Sequence, residues 1–351
     1  MNEFIIVKIF ALSAASFLLA MILTPFLTHF LYKYRLGKGI RDASTAPVFA
    51  QMHQKKAGTP TMGGILIWGS TLFLIVLFWV LHKFFPANFG RFNFLSRSET
   101  LLPLGALVAS ALVGLFDDLM DVWRVGKNGG GLRMRHRFIV YGIIAAVGAW
   151  WFFYKLDWSI IHVPFYGNFD IGWWYIPFAL FVIIATAHSV NLTDGLDGLA
   201  GGTLLVAFAS YGAIAFAQGR YDLATFCGVI VGALTAFLWF NINPARFFMG
   251  DTGAMSLGVT LGIIAMLTNA VLLLPIIGLV FMIETLSVLL QMFYKKVLGR
   301  KIFISSPIHH HFEAIGWPEP KIVMRFWVIA GVTSVIGLII FLADKAAGNL
   351  F

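Results

Sequence analysis

An all-α integral membrane protein of about ten transmembrane helices is the fold class this sequence predicts, and three observations predict it. The chain has 351 residues, 59% of them hydrophobic and 12% charged, with a mean hydropathy of +0.85; such a composition cannot present a water-compatible surface. Its apolar residues fall into segments near the length needed to cross a hydrocarbon core of roughly 30 Å. Its cations are gathered into alternate connections between those segments.

The first segment, 4–32, reads as a retained helix rather than a cleaved leader: Glu3 precedes its early cation Lys8, and the run exceeds the roughly 7–15 apolar residues of a signal sequence. The others are 62–84, 101–116, 137–154, 173–189, 199–217, 222–240, 252–268, 269–294 and 325–343. The pair meeting at Thr268 and Asn269 is joined almost without a break, so the count holds to within about one at that hairpin.

Ten helices place the odd-numbered connections on one face. Those connections hold Lys33, Arg35, Lys38, Arg41, Lys55, Lys56, Arg124, Lys127, Arg133, Arg135, Arg137, Arg246, Lys295, Lys296, Arg300, Lys301, Lys321 and Arg325, 18 of the 25 Lys and Arg residues. Lys8, Lys83, Arg91, Arg97, Lys155, Arg220 and Lys345 remain for the other face. The cytoplasmic preference of loop cations therefore puts both termini outside and the odd connections inside. No long polar linker interrupts the chain, which reads as one polytopic domain over 1–351.

The net charge of +9 does not indicate nucleic acid, because these cations flank membrane segments and form no basic stripe with aromatic interleaving. Anionic lipid and phosphorylated substrates account for it better. The single cysteine, Cys227, lies in an apolar segment, which excludes an internal disulfide and any multi-cysteine metal site. The outward connections, such as 85–100 and 155–172, are aromatic and mostly featureless, whereas the inward ones hold nearly all the unusual polar residues.

Gly114-Leu115-Phe116-Asp117-Asp118 ends the third segment with two adjacent carboxylates, followed by Asp121. Residues three or four apart share a helix face, so Asp118 and Asp121 can meet while Asp117 points elsewhere. Aspartates are ordinary at a solvated helix end, but a helix C-terminus is the wrong end for negative charge, and a bound cation would remove that penalty.

Val190 to Gly202 packs Asn191, Leu192, Thr193, Asp194, Gly195, Leu196, Asp197 and Gly198 into one short connection. A tight turn uses Asn, Asp and Gly, yet a turn alone does not need two carboxylates, an amide and a hydroxyl within eight residues. Trp239 to Gly253 carries Asn241, Phe248 and Asp251 just before the eighth segment. Asp251 can serve there as an N-cap or, in company with the other acidic loops, as a magnesium ligand, since magnesium takes a few carboxylate oxygens alongside substrate phosphates. Phe248 offers a stacking face for a base.

His309, His310 and His311 stand in Ser306-Pro307-Ile308-His309-His310-His311-Phe312-Glu313. Three consecutive imidazoles cannot easily aim at one zinc ion; a donor cluster for phosphate or sugar hydroxyls fits better. Lys55 to Gly64 is a proline-capped helix start with snorkelling lysines, in which Lys56 and Thr61 supply a positive charge and a hydroxyl suited to a nucleotide.

With Gly58-Thr59-Pro60-Thr61-Met62-Gly63-Gly64, Asp117-Asp118, the Asn191–Gly198 run, Phe248-Met249-Gly250-Asp251 and Pro307 to Glu313 on the page, the chain resembles the phospho-N-acetylmuramoyl-pentapeptide-transferase (MraY) family, within the polyprenyl-phosphate sugar-1-phosphate transferases. The match runs in order from about residue 30 to 330. The resemblance implies transfer of phospho-MurNAc-pentapeptide from its UDP carrier to undecaprenyl phosphate, giving lipid I and UMP with Mg2+. It also implies a multi-pass homodimer in the bacterial inner membrane, with both termini periplasmic and the active site cytoplasmic.

By that resemblance Asp251 is the magnesium ligand, with Asp117 and Asp118 the catalytic pair and further metal candidates. Asp117 is the better candidate to deprotonate or orient the lipid phosphate, and His309 joins the catalytic set. Asn191, Asp194, Gly195, Leu196, Asp197, Asn241 and Phe248 fall among the nucleoside contacts, and Lys56, Thr61, His310, His311 and Arg137 among the polar residues of the same pocket. The sequence departs from the family pattern at Asp121, where a lysine is usual, at Arg137, which replaces a lysine, and at His188, where asparagine is common.

A sister enzyme transferring GlcNAc-1-phosphate would share the acidic loops, and Asp121 leans that way, while His309 to Glu313 and Trp317-Pro318-Glu319-Pro320 favour the muramoyl enzyme. A transporter or proton channel would place its carboxylates in mid-helix, unlike these loop and helix-end aspartates. A non-catalytic scaffold would leave the acidic loops unexplained.

Overall fold

In the computed structural model, residues 2–37, 56, 58–97, 99–125 and 130–348 are described. The loop cations Lys38, Arg41, Lys55 and Lys127 lie outside the described residues. The principal helices are α1 (Asn2–Lys33), α2 (Ile65–Phe84), α3 (Leu101–Val122), α4 (Met134–Trp150), α5 (Tyr175–Thr193), α6 (Leu199–Ala217), α7 (Tyr221–Asn241), α8 (Asp251–Leu267), α9 (Leu279–Val297), α10 (Ile308–Ala314) and α11 (Glu319–Ala346). Among the described residues, eight helices are long and apolar enough to cross a membrane. A short piece, Val271–Ile277, meets α9 at an 81° bend, and counting this pair as one span makes nine.

The eighth expected span, 252–268, corresponds to α8, which is shorter than these helices at 17 residues, and its burial explains its place. All 17 of its residues are buried, as expected of a helix that is apolar on every side. At about 1.5 Å per residue it is roughly 26 Å long, and it packs mainly against α3 and α5. A Cβ on Gly114 of α3 would come within 2.5 Å of the Asp251 backbone. Glycine there is what lets α3 lie against the first turn of α8.

Two expected boundaries move. The third segment does not stop at 116 but continues to Val122, so Asp117, Asp118 and Asp121 stand on the last turns of α3. The penalty of acid at a helix C-terminus is offset by specific partners described below. The ninth segment is broken rather than continuous, bending at Gly278 after the Val271–Ile277 piece.

The connection 155–172 is not featureless. Strands β1 (Ile160–Val163) and β2 (Gly167–Asp170) pair antiparallel, with Ile160 opposite Asp170 and Val163 opposite Gly167. The hairpin docks on the chain's other end: His162 Nε2 lies 2.5 Å from Asp344 Oδ2, and the Phe165 N–H donates to Asp344 Oδ1 at 2.7 Å. Lys345 Nζ donates to the Ala217 carbonyl, while Lys8 of α1 donates to the Asn93 carbonyl and Asp222. Nearby, Glu99 accepts the Leu223 N–H, and burial holds its carboxyl above the ordinary range. The start of α1 and the end of α11 therefore both meet connections at the end of the bundle away from the acidic loops.

Cys227 is fully buried in α7, inside the apolar core. A separate apolar cluster joins Leu196 and Leu199 to Val280 and to Ile322, Val323, Phe326 and Ala330. That second cluster seats the 194–198 connection on α9 and α11.

Candidate active site

The centre of the site is an ion-pair bridge across three helices. Arg137, in the first turns of α4, places Nε 2.6 Å from Asp117 Oδ2 and Nη1 3.0 Å from Asp251 Oδ2. Asp117 Oδ1 accepts the Leu132 N–H at 2.6 Å, and Asp251 Oδ1 accepts from Asn191 Nδ2 at 2.8 Å. The Asn191 contact places the end of α5 beside the start of α8, which is what the even-odd helix parity demanded. Although close, the Arg137 Nε–H is not aligned into a hydrogen bond with Asp117; we read this contact as Coulombic, a cation lodged between two anions.

Asp118 is occupied differently. Its Oδ1 and Oδ2 accept the backbone N–H groups of Asp251 and Thr252 at 3.1 and 3.0 Å. These are unsatisfied donors of a helix N-terminus, where the macrodipole favours an anion. The carboxylate that looked misplaced at the C-terminus of α3 is thus a cap for α8. Gly250, at φ +75°, makes the turn that brings this about; a Cβ there would meet Asp118 Oδ2 at 2.5 Å and Thr61 Oγ1 at 2.7 Å. Asp121 and Asp117, one helical turn apart, both lie beside Gly131.

A second knot joins four separate stretches of chain. Lys56 Nζ lies 2.7 Å from Asp197 Oδ1 and 2.6 Å from Glu319 Oε1. Asn243 Nδ2 donates to Asp197 Oδ2 and Glu319 Oε2, both at 3.0 Å, and the Asp197 N–H donates to Glu319 Oε1 at 2.6 Å. Asn241 accepts the Gly198 N–H and donates to the Phe247 carbonyl, tying the two loops together from below. Lys56 Nζ stands 5.9 Å from the centre of the half-buried Phe248 ring. Asp194, at the end of α5, is half-buried, and Leu196 is buried in the second apolar cluster.

The three histidines diverge. His309 Nδ1 lies 2.9 Å from Glu284 Oε2, both residues being 0% exposed, while His310 Nδ1 lies 2.6 Å from Glu313 Oε2. His311 Nδ1 accepts the Ile304 N–H. His309 Nε2 faces Gly195, where a Cβ would stand 2.3 Å away. His309 therefore lies beneath the 194–198 connection. Among the described residues no group of three or more His, Cys, Asp or Glu is arranged to hold a metal ion.

Magnesium asks for less. It keeps several waters and takes one or two carboxylates with substrate phosphates. Asp117 and Asp251 supply two converging carboxylates, and the guanidinium held between them is a cationic stand-in at the place their charges are aimed. The donor set fits the ion.

Sequence reasoning passed over Glu284, Glu319, Asn243 and Tyr141. Glu284 carried a signal, since an ionisable residue deep in an apolar segment is a functional hypothesis by default. Glu319 and Asn243 stood inside motifs already singled out, without a partner to give them meaning. Tyr141 had no signal at all, being one aromatic in a chain that is 16% aromatic.

The described residues thus make a polytopic helical protein that gathers carboxylates, a guanidinium and an amide at one end of its bundle. Residues 100–269 match glycosyl transferase family 4, and residues 56–67 match a phospho-N-acetylmuramoyl-pentapeptide-transferase signature. The chain is 41% identical to the phospho-N-acetylmuramoyl-pentapeptide-transferase of Geobacillus thermodenitrificans, over 93% of this chain and 96% of that protein. Identity to the protein of the same name from Bacillus subtilis is 40%, over 92% and 95%, and to that from Chloroflexus aggregans 38%, over 93% and 88%. The chain belongs to the phospho-N-acetylmuramoyl-pentapeptide-transferase family.

Proposed function

We propose that this protein transfers phospho-MurNAc-pentapeptide from UDP-MurNAc-pentapeptide to undecaprenyl phosphate, releasing UMP and forming lipid I. We place it in the bacterial inner membrane as a Mg2+-dependent homodimer with its acidic end facing the cytoplasm. The observation that carries the reading is the convergence of Asp117 and Asp251 on Arg137 in a chain so similar, along nearly its whole length, to proteins of that name.

Phosphoryl transfer is accelerated chiefly by positioning and charge neutralisation. A phosphate monoester has a second pKa near 6, so an acceptor lipid phosphate is already largely dianionic at neutral pH. Bringing it to a diphosphate is therefore a problem of repulsion more than of deprotonation. Arg137 supplies a fixed guanidinium between the two carboxylates. Asn191 holds Asp251 by one oxygen, and Asp118 locks the first turn of α8, so Asp251 is presented without freedom to turn away. Asp117, fixed through Leu132, orients the attacking phosphate and accepts its residual proton. Lys56, Asp197, Asn241 and Phe248 hold the uridine end. When bound, Mg2+ on Asp251 and Asp117 would screen the meeting anions and stabilise the departing UMP.

The sister reading, with UDP-GlcNAc as donor, is not favoured: close relatives spanning nearly the whole chain carry the muramoyl name. UMP release measured with each donor, in magnesium and after chelation, tests the proposal. Turnover is expected with UDP-MurNAc-pentapeptide and magnesium together; turnover with UDP-GlcNAc, or undiminished by chelation, would overturn the corresponding part.

A further inference from the structure

Between α4 and α5, beside the Asp117–Arg137–Asp251 bridge, lies a small cavity whose lining divides by chemistry. Arg137, Tyr141, His188 and Asn191 supply its polar part, and Phe138 and Ile184 part of its apolar wall. Phe138 is 47% exposed on the outside of α4 and packs its ring 5.5 Å from that of His188. Phe138 thus forms part of the cavity's wall and part of the exposed apolar face of α4, a helix long and apolar enough to cross a membrane.

Two donors in it lack an aligned acceptor. Tyr141 is 3% exposed, and its hydroxyl has no hydrogen-bond partner among the described residues. Arg137 Nε is buried and directs its N–H into no hydrogen bond. A buried phenol almost always finds a partner, because desolvating it unbonded is costly. Arginine donates and never accepts, so what completes this cavity is an acceptor: at about 20 Å³ it holds one water as it stands, and a group that reaches the phenol and the guanidinium together carries more than one acceptor oxygen and widens the cavity on entry. A phosphate does so, and guanidinium–phosphate pairing is among the stronger hydrogen-bonded contacts. The apolar wall asks for a hydrocarbon chain attached to it.

We propose that Tyr141 is a binding residue for the acceptor, its hydroxyl donating to a phosphate oxygen of a polyprenyl monophosphate whose chain leaves past Phe138 and Ile184. The assignment rests on the transferase reading for which of two phosphate sources applies, the acceptor lipid or the donor's diphosphate. The lining selects the acceptor, since it includes the apolar Phe138 and Ile184 and none of Lys56, Asp197 or Glu319.

The test uses the full chain in detergent with Tyr141→Phe, which keeps the ring and removes one hydroxyl. Losing a hydrogen bond to a charged group should raise the KM for the polyprenyl phosphate on the order of tenfold, with the KM for the UDP donor unmoved and the melting temperature unchanged. Titration with farnesyl monophosphate, without donor, reads the same loss directly, and farnesol and inorganic phosphate alone should bind both forms weakly. Equal farnesyl phosphate affinity in the two forms would overturn the proposal, as would a rise confined to the donor KM. Because the titration needs no turnover, it separates failure of this assignment from failure of the transferase reading.

Discussion

Asp251 and Asp344 are both buried aspartates with cationic or imidazole partners, 6% and 1% exposed, at opposite ends of the bundle. Asp344 meets His162 and the Phe165 N–H, with its two oxygens on different donors, and it ties a hairpin to the end of α11. Asp251 meets Arg137 and Asn191, but a second carboxylate, Asp117, presses on the same guanidinium. One anion with matched donors is a rivet. Two anions instead share one guanidinium in the bridge, and burial alone does not separate these cases.

The sharpest way to break the comparison is to remove each carboxylate. Asp251→Ala should lower transfer on the order of a thousandfold, the scale of losing an electrostatic contact made to a transition state, and leave the melting temperature close to that of the parent. Near-normal turnover would remove Asp251 from the reaction. Asp344→Ala should do the reverse. It strands His162 and the Phe165 N–H and should cost about 2–3 kcal/mol of stability, seen as a lower melting temperature in detergent, while the turnover of the folded fraction is retained. If Asp344→Ala instead left stability untouched and slowed transfer, the rivet would be something more.

Much of the acidic end was legible in advance because chemistry there is concentrated in short motifs. Helix parity placed Asn191 and Asp251 together, and the structure joins them by a hydrogen bond. The poor fit of acid at the end of α3 was also legible, but its resolution was not. Asp118 is satisfied by the N-terminus of α8, 133 residues onward, and no local pattern encodes a partner so far along the chain. The same reason hid the opposite end: His162 and Asp344 are 182 residues apart, each unremarkable among its neighbours. Glu284 and His309 are only 25 apart, and there the missed clue was local, a lone carboxylate within an apolar run.

The smallest effect expected here concerns Glu319, which shares Lys56 with Asp197 as Asp117 shares Arg137 with Asp251. The two arrangements differ in what else they hold. Glu319 also accepts the Asp197 N–H and Asn243 Nδ2, so its carboxylate fastens the two loops and Lys56 to the start of α11. Glu319→Gln keeps the shape and one acceptor but turns the other oxygen into an amide that opposes the Asn243 amide donor. The loops should loosen without losing their residues, and the donor KM should rise by roughly 3–10-fold, the scale of one ordinary hydrogen bond. The kcat and the acceptor KM should stay near their parent values in steady-state assays varying each substrate in turn. A fall in kcat at constant donor KM would move this knot from holding the nucleotide to taking part in the chemistry. The two shared-cation clusters would then be halves of one reacting site rather than a reacting centre and a clamp.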